Sequence, residues 1–488
     1  MTTGPFDPSG IRLGVVRGIS YGLFGKPDEF APQARALGAT LVRAYVYWGQ
    51  VEPSPGDYVW DTVDALLDQL DGDEEVWITL CSSSPWATRE PTDFLPPSPA
   101  LDLGAYGRFV REVVGHCAGR VRYWQCDNEP SNTGLLWAGT AGEYVTQLRV
   151  MYAAVKEADP AAAVVLGGCG YDVFSEGDDG EPRRFFDHLV SEGRDAFDLF
   201  DVHLYGDPAT APACIDTARR MMRAHGYAKP VVVGEYAGPV PFDIPEVEAV
   251  MRQVFTEAFT EAPATQSTAE LTARASQDTP EKRAMTALYG RMPQLPRKLQ
   301  MFMAGCPDEL EARRHRINCR RLVMCNLLAL AAGVRRTAYW NLAHEVPGPV
   351  DHLQMMHLMF GKLPLMDYRG TALDARNPAG DTFALMAGQL AGVRNVTRVE
   401  VADRPALYAF EVDRAGREPL LVLWDDRDMF DGEDDPPVTV SWPWSAPAAT
   451  AVDALGGTPA VEVGGGMLRL PVSVTPVFVT AATPGRPF

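Results

Sequence analysis

Two glutamates stand out by what precedes them. Glu129 follows the apolar run VRYWQC within WQCDNEPSN (124–132), between Asn128 and Pro130, and Glu235 sits at the end of VVVGEY (231–236). An idle carboxylate at the end of an apolar run costs desolvation energy, so chemistry or an ion pair must account for it. Either acid alone could be a structural ion-pair residue, but the two together point to a site. Two carboxylates facing each other across a cleft suit cleavage of a glycosidic bond. One protonates the leaving oxygen, the other attacks the anomeric carbon, and a separation of about 5–5.5 Å would give a covalent glycosyl-enzyme. Nearby Trp and Tyr residues suit the same chemistry, because sugar rings present C–H faces that stack on aromatic rings.

The elements that must position these acids read as strands alternating with helices. Strand candidates are 12–18, 40–48, 75–82, 121–129, 162–170, 199–205, 231–236 and 336–341. Helical periodicity falls between them, for example over 60–70, 105–117 and 142–159. Strands that are almost wholly apolar, each followed by a helix, indicate a parallel sheet covered on its outer face. Eight such units predict an α/β fold, a closed (β/α)8 barrel, with function at the C-terminal strand ends. Those ends carry Arg43, Tyr47 and Trp48; Ser82, Ser83 and Trp86; Asn128 and Glu129; His203 and Tyr205; Glu235; and Trp340 and Asn341. The seventh and eighth strands are far apart, which predicts a helical insertion around 240–315 and a long helix over 308–333. After a closing helix over 378–392, alternating strand runs and Gly, Pro and Asp turns predict a β-sandwich over 393–488. The barrel accordingly occupies 1–392.

Composition narrows the partners. A net charge of −20 opposes nucleic acid and anionic membrane surfaces, because phosphates would be repelled. No apolar run approaches the roughly 20 residues of a membrane span, and the N-terminal stretch has no signal-peptide character. The eight cysteines are scattered singly without a CxxC pair, which predicts reduced core thiols and a cytoplasmic protein. The acidic stretch 425–437 could bind calcium but reads as a solvated loop. The run 343–362 holds His344, Glu345, Asp351, His352 and His357 at no standard metal-ligand spacing, and reads as a pocket-lining loop. No metal or cofactor is expected, and the oligomeric state is open.

The segment LVRAYVYWGQVEPSPGDYVWDTVDALL (41–67), with its Arg, Trp, Glu-Pro and Gly-x-Tyr-x-Trp pattern, adds a further signature to Asn128-Glu129-Pro130 and Glu235. Together they resemble the clan A glycoside hydrolases, retaining (β/α)8 glycosidases. The layout with a C-terminal sandwich is most similar to glycoside hydrolase family 39. The resemblance implies that Glu129 is the general acid/base and Glu235 the nucleophile. It implies that Asn128 bonds the sugar 2-hydroxyl, and that Arg43 orients Glu235 and keeps it ionised. His203 and Tyr205 would line the site, with Trp48 and Trp340 as sugar contacts. Trp86 and Trp137 divide between core and platform roles. Many relatives carry an aromatic residue just before Asn-Glu, where this chain has Asp127, so a third acid is expected to alter subsite polarity. The expected partner is a carbohydrate, cleaved from the chain end. Transglycosylation on the same residues, a catalytically inactive sugar-binding barrel and a metal-dependent barrel hydrolase are the competing readings. The first strand, RLGVVRG, lacks the HxH signature that the last would carry.

Overall fold

The computed structural model describes residues 10–25, 27–259, 266–348 and 351–482. Eight parallel strands close into a barrel: β1 (Arg12–Val16), β2 (Leu41–Tyr47), β3 (Glu75–Cys81), β4 (Tyr123–Cys126), β5 (Ala163–Cys169), β6 (Leu199–Leu204), β7 (Val231–Tyr236) and β8 (Arg336–Tyr339). Each pairs with the next, and β8 closes the ring on β1. All eight expected strands are present. Their nearly unbroken apolar character follows from burial on both faces, since helices cover the outside and side chains fill the inside.

Alternation along each strand decides which side chain goes where. On β2, Leu41, Tyr45 and Tyr47 join the interior cluster, whereas Val42, Ala44 and Val46 pack outward under the helices. The covering helices begin with stop-and-start chemistry legible in the chain. Asp102 accepts from the Gly104 amide to open Leu103–Cys117, and Thr140 with Glu143 forms a capping box for Ala141–Ala158.

Between β7 and β8 the chain forms the helices Glu248–Ala258, Thr268–Arg274, Pro280–Gly290 and Arg297–Gln300 before the long helix Asp308–Ala331. This stretch has its own apolar core, built on Met251, Val254, Met285, Leu288 and Leu299. The hairpin β9 (Met366–Arg369) and β10 (Ala372–Arg376) precedes the closing helix Pro378–Gln389.

The C-terminal strands are β11 (Val393–Val399), β12 (Leu407–Arg414), β13 (Leu420–Asp425), β14 (Val438–Pro443), β15 (Ala448–Asp453), β16 (Glu462–Gly464), β17 (Met467–Val472) and β18 (Val477–Ala482). They form a five-stranded sheet in the order β11-β12-β13-β18-β15 and a three-stranded sheet in the order β14-β17-β16. Ala409, Leu421, Leu423 and Val479 face the second sheet, where Val440, Leu468 and Leu470 meet them. The alternate residues Phe410, Val412, Val422 and Trp424 face the other way and merge with the core of the barrel.

The acidic stretch 425–437 is not the solvated loop its composition predicts. Glu433 receives Arg316 (2.6 Å), Arg320 (2.7 Å) and Arg313 (3.2 Å) from the long barrel helix. Lys298 reaches Asp431 (2.9 Å) and Asp428 (3.4 Å). These cations come from residues far away in the chain, so the local composition could not announce them. All eight cysteines are free thiols. No helix among the described residues is long and apolar enough to cross a membrane.

Candidate active site

The acids, imidazole and phenols gather at the C-terminal end of the barrel. One carboxylate oxygen of Glu129, one of Glu235 and a ring nitrogen of His203 lie within 4.8 Å of one another. Local backbone irregularities aim them. Opposite Val202 and His203 of β6, β7 presents Val233 and Glu235, so Gly234 is an extra residue in the register. Such a bulge re-aims the side chain that follows. Strict alternation from the inward Val232 would point Glu235 outward; the bulge turns it into the barrel. Beyond β4, Asp127 and Glu129 adopt left-handed backbone (φ +48° and +42°), which costs a non-glycine residue on the order of 1 kcal/mol or more.

Asp127 helps hold that turn. Its carboxylate accepts from the Ser82 amide (2.7 Å), from the Ser82 hydroxyl (2.8 Å) and from Gln147 Nε2 (3.4 Å). Full burial pushes its pKa up to about 7 against these donors. The expected effect on subsite polarity is therefore corrected. Asp127 is fully buried behind the pair and bonds β3 and the helix Ala141–Ala158 instead of lining the mouth.

Glu235 accepts three hydrogen bonds. Arg43 Nη1 (2.9 Å) and the Tyr45 hydroxyl (2.7 Å) donate to Oε1, and the Tyr205 hydroxyl (2.6 Å) donates to Oε2. Burial alone would raise its pKa; the charges of His203 and Arg43, with the two phenols, outweigh burial and hold it below the ordinary glutamate range. Glu129 goes the other way. Burial lifts its pKa, the His203 hydrogen bond opposes this, and the charge of Glu235 adds to the lift. Its side chain keeps 17% exposure, against 5% for Glu235.

His203 joins the two. Nδ1 is 2.5 Å from Glu129 Oε1 and 3.4 Å from Glu235 Oε2, while Nε2 is 3.1 Å from Asp201 Oδ2. Burial works to discharge the ring, but Glu235 and Asp201 prevail and push its pKa up to about 10. Both ring nitrogens then donate. Asp201 is itself anchored by the Gly234 amide (2.5 Å) and Gln125 Nε2 (3.2 Å). Two glycines make room for this dyad: a β-carbon at Gly234 would overlap the Asp201 carboxylate, and one at Gly168 would overlap the His203 ring. The cluster thus sets two basic groups, Arg43 and His203, among three acids, Glu129, Glu235 and Asp201.

Asn128 Oδ1 accepts from Arg43 Nη2 (2.7 Å), which leaves its amide N–H groups for another acceptor. Trp340, at the end of β8, meets Tyr45 edge-on at 6.4 Å within the interior cluster. Trp48 is a correction. It falls on the outward parity of β2, is fully buried, stacks on Phe109 at 5.1 Å and donates its indole N–H to Glu52. Trp137 is likewise buried in the outer core, edge-on to Tyr144, and Trp86 packs against Trp48. Sequence reasoning missed Tyr45, Asp201 and Gln125. The first two were within reach, because Tyr45 shares the strand face of Arg43 and Asp201 that of His203.

In the run 343–362, Glu345 accepts from the Ile19 and Ser20 amides and the Ser20 hydroxyl, which fixes the loop after β1. Among the described residues, the acid and histidine grouping that could hold a metal ion is Glu129, His203 and Glu235. The His203 ring nitrogens already have partners, Nδ1 in contact with Glu129 and Nε2 with Asp201.

No protein-family model matches the chain, and no curated protein matches it by sequence. Solved structures do match its fold. A family 39 glycoside hydrolase from the gut symbiont Bacteroides cellulosilyticus aligns over 98% of this chain and 82% of its own, with a TM-score of 0.60 and 15% identity. The chain shares the fold of family 39 glycoside hydrolases. A glucosidase from Croceicoccus marinus aligns over 98% of this chain and 97% of its own (TM-score 0.56, 14% identity). A family 39 β-xylosidase from Caulobacter crescentus does so over 98% and 97% (TM-score 0.54, 16% identity). The family 39 likeness extends through barrel and sandwich alike, as the coverage requires.

Proposed function

We propose that the chain is a retaining glycoside hydrolase, with the barrel of residues 1–392 as its catalytic unit and the sandwich of 393–488 as a support. The observation that carries this reading is the opposed setting of the two acids within one hydrogen-bonded cluster: burial pushes the pKa of Glu129 up, while His203, Arg43 and two phenols hold that of Glu235 down. Glu129 gives its proton to the departing glycosidic oxygen as a Glu235 oxygen bonds the anomeric carbon, which forms a glycosyl ester. Glu129, now a carboxylate, takes a proton from water. The resulting attack on the anomeric carbon breaks the ester, releases the sugar with its original configuration and returns the proton to Glu129. Negative charge moves from Glu235 to Glu129 and back. One imidazolium within 3.4 Å of both serves whichever is charged. Asn128 offers its free amide hydrogens to the sugar 2-hydroxyl, and Trp340 supplies an apolar floor. Eight free thiols support a cytoplasmic enzyme, acting from the end of small glycosides or oligosaccharides.

The test uses azide, which attacks without a base. On a dinitrophenyl glycoside, whose leaving group needs no proton, Glu129→Ala should accumulate glycosyl-enzyme, and azide should release a glycosyl azide of retained configuration. Glu235→Ala should lose hydrolysis, and its azide product should be inverted. The same anomer from both variants would refute the assignment of roles.

A further inference from the structure

The segment Gln266–Arg274 belongs to the stretch between β7 and β8, yet its hydrogen-bond partners lie on the loop after β3, on the opposite side of the barrel. The main chains of Leu95 and Gln266 exchange two hydrogen bonds (3.1 and 2.6 Å). Asp93 accepts from both the amide and the hydroxyl of Thr268. The Thr92 hydroxyl donates to the Gln266 carbonyl (3.2 Å). Beyond this clasp, Ser267 and Glu270 form a capping box that starts the helix Thr268–Arg274. That helix has no fully buried residue, so the clasp is a main determinant of its position. Leu271 packs on the interior apolar cluster that also contains Tyr47, Phe94, Leu95 and Trp340.

Glu129 lies on the β4–β5 side of the barrel. It follows β4, and a β-carbon on Gly170, just past β5, would press on its carboxyl. A leaving group departs on the side of the acid. Sugar units beyond the one bonded to Glu235 would then extend away from Glu129, and Leu271 of the strap packs on the same interior cluster as Trp340 and Tyr205.

We propose that the clasped strap Gln266–Arg274 closes the sugar-side end of the cleft and is what confines this protein to terminal residues. The inference rests on the glycosidase reading above and supplies a structural determinant for end-on action. Unclasping should open room for a second sugar unit.

The probes are the 4-nitrophenyl β-glycosides of glucose, xylose and mannose, and the matching 4-nitrophenyl β-1,4-linked disaccharides. Immediate nitrophenol release from a disaccharide needs two sugar units on the strap side. The wild-type protein should release it only after a lag, because the terminal sugar leaves first. The double variant Asp93→Ala/Thr268→Val should release it without a lag. Its ratio of disaccharide to monosaccharide initial rates should rise about tenfold or more, with the monosaccharide rate kept within about twofold. Lag-free release by the wild type, or an unchanged ratio in the variant, would overturn the proposal. If no monosaccharide substrate is cleaved, the glycosidase reading fails, and the strap is judged by carbodiimide and taurine labelling of Glu235. Labelling about fivefold faster in the variant supports closure by the strap; equal labelling overturns it.

Discussion

Replacing Tyr205 with Phe should move one limb of the pH–rate profile and leave the other in place. The Tyr205 hydroxyl donates to Glu235 Oε2 at 2.6 Å, and the other contacts of Glu235, from Arg43, Tyr45 and His203, do not depend on it. A hydrogen bond to a charged group contributes roughly 1.5–3 kcal/mol, and about 1.4 kcal/mol corresponds to one pH unit. Losing this donor should therefore shift the acidic limb of kcat/KM upward by about one to two pH units, because Glu235 becomes easier to protonate. The basic limb reports loss of the proton from Glu129, which Tyr205 does not touch, and should stay. The ring survives in Phe and keeps its edge contact with Phe360 at 5.7 Å, so thermal stability should change little. The assay is kcat/KM for an aryl glycoside across pH, alongside a thermal melt. A shift of the basic limb with a fixed acidic limb would reverse the roles assigned to the two glutamates. No shift in either would remove Tyr205 from the stabilisation of the nucleophile.

The two tryptophans placed at the sugar by resemblance should separate cleanly. Trp48→Ala should cost about 3–5 kcal/mol of stability in denaturant titration, with KM unchanged in whatever protein remains folded. Trp340→Ala should instead lower kcat/KM by roughly tenfold or more; a binding defect at Trp48 would contradict its core position. Glu433→Gln should destabilise by about 3 kcal/mol or more, since it leaves Arg313, Arg316 and Arg320 facing an uncharged partner. Burial opposes ionisation of Glu433, but the arginines hold its pKa low. Its contribution is therefore present above about pH 4.3 and lost as pH falls through the lower folded value. An acid melt in which wild type and variant differ equally at all pH values would refute that pairing. Dialysis against a chelator should leave kcat/KM within about twofold, because two carboxylates suffice for the double displacement. Loss restored by an added divalent cation would refute this.

Much of the barrel was legible because a parallel strand buried on both faces writes itself as a continuous apolar run, and Glu129 and Glu235 interrupt such runs with charge. The limits are equally physical. Trp48 was misread because its type suits a sugar platform, and only its parity on β2 shows that it points outward. Parity would have failed for Glu235, where the bulge at Gly234 overrides alternation; the glycine in VVVGEY is the sole local hint. Asp127 reads as an extra acid, and its partners Ser82 and Gln147 become visible only when β3 and the helix Ala141–Ala158 are brought beside it. The clasp at Leu95 and Gln266 and the arginines around Glu433 join residues more than a hundred positions apart, without any periodicity to announce them.

Inside the cleft the acids face Arg43 and His203 directly, whereas the whole chain carries −20. An uncharged sugar offers no net charge for the resulting field to act on, and its capture should be indifferent to ionic strength. A uronate or phosphorylated sugar would experience the surrounding anionic field during its approach, a penalty that added salt screens over about 8–10 Å. The anionic surroundings thus act as a filter on substrate charge, set before any contact is made.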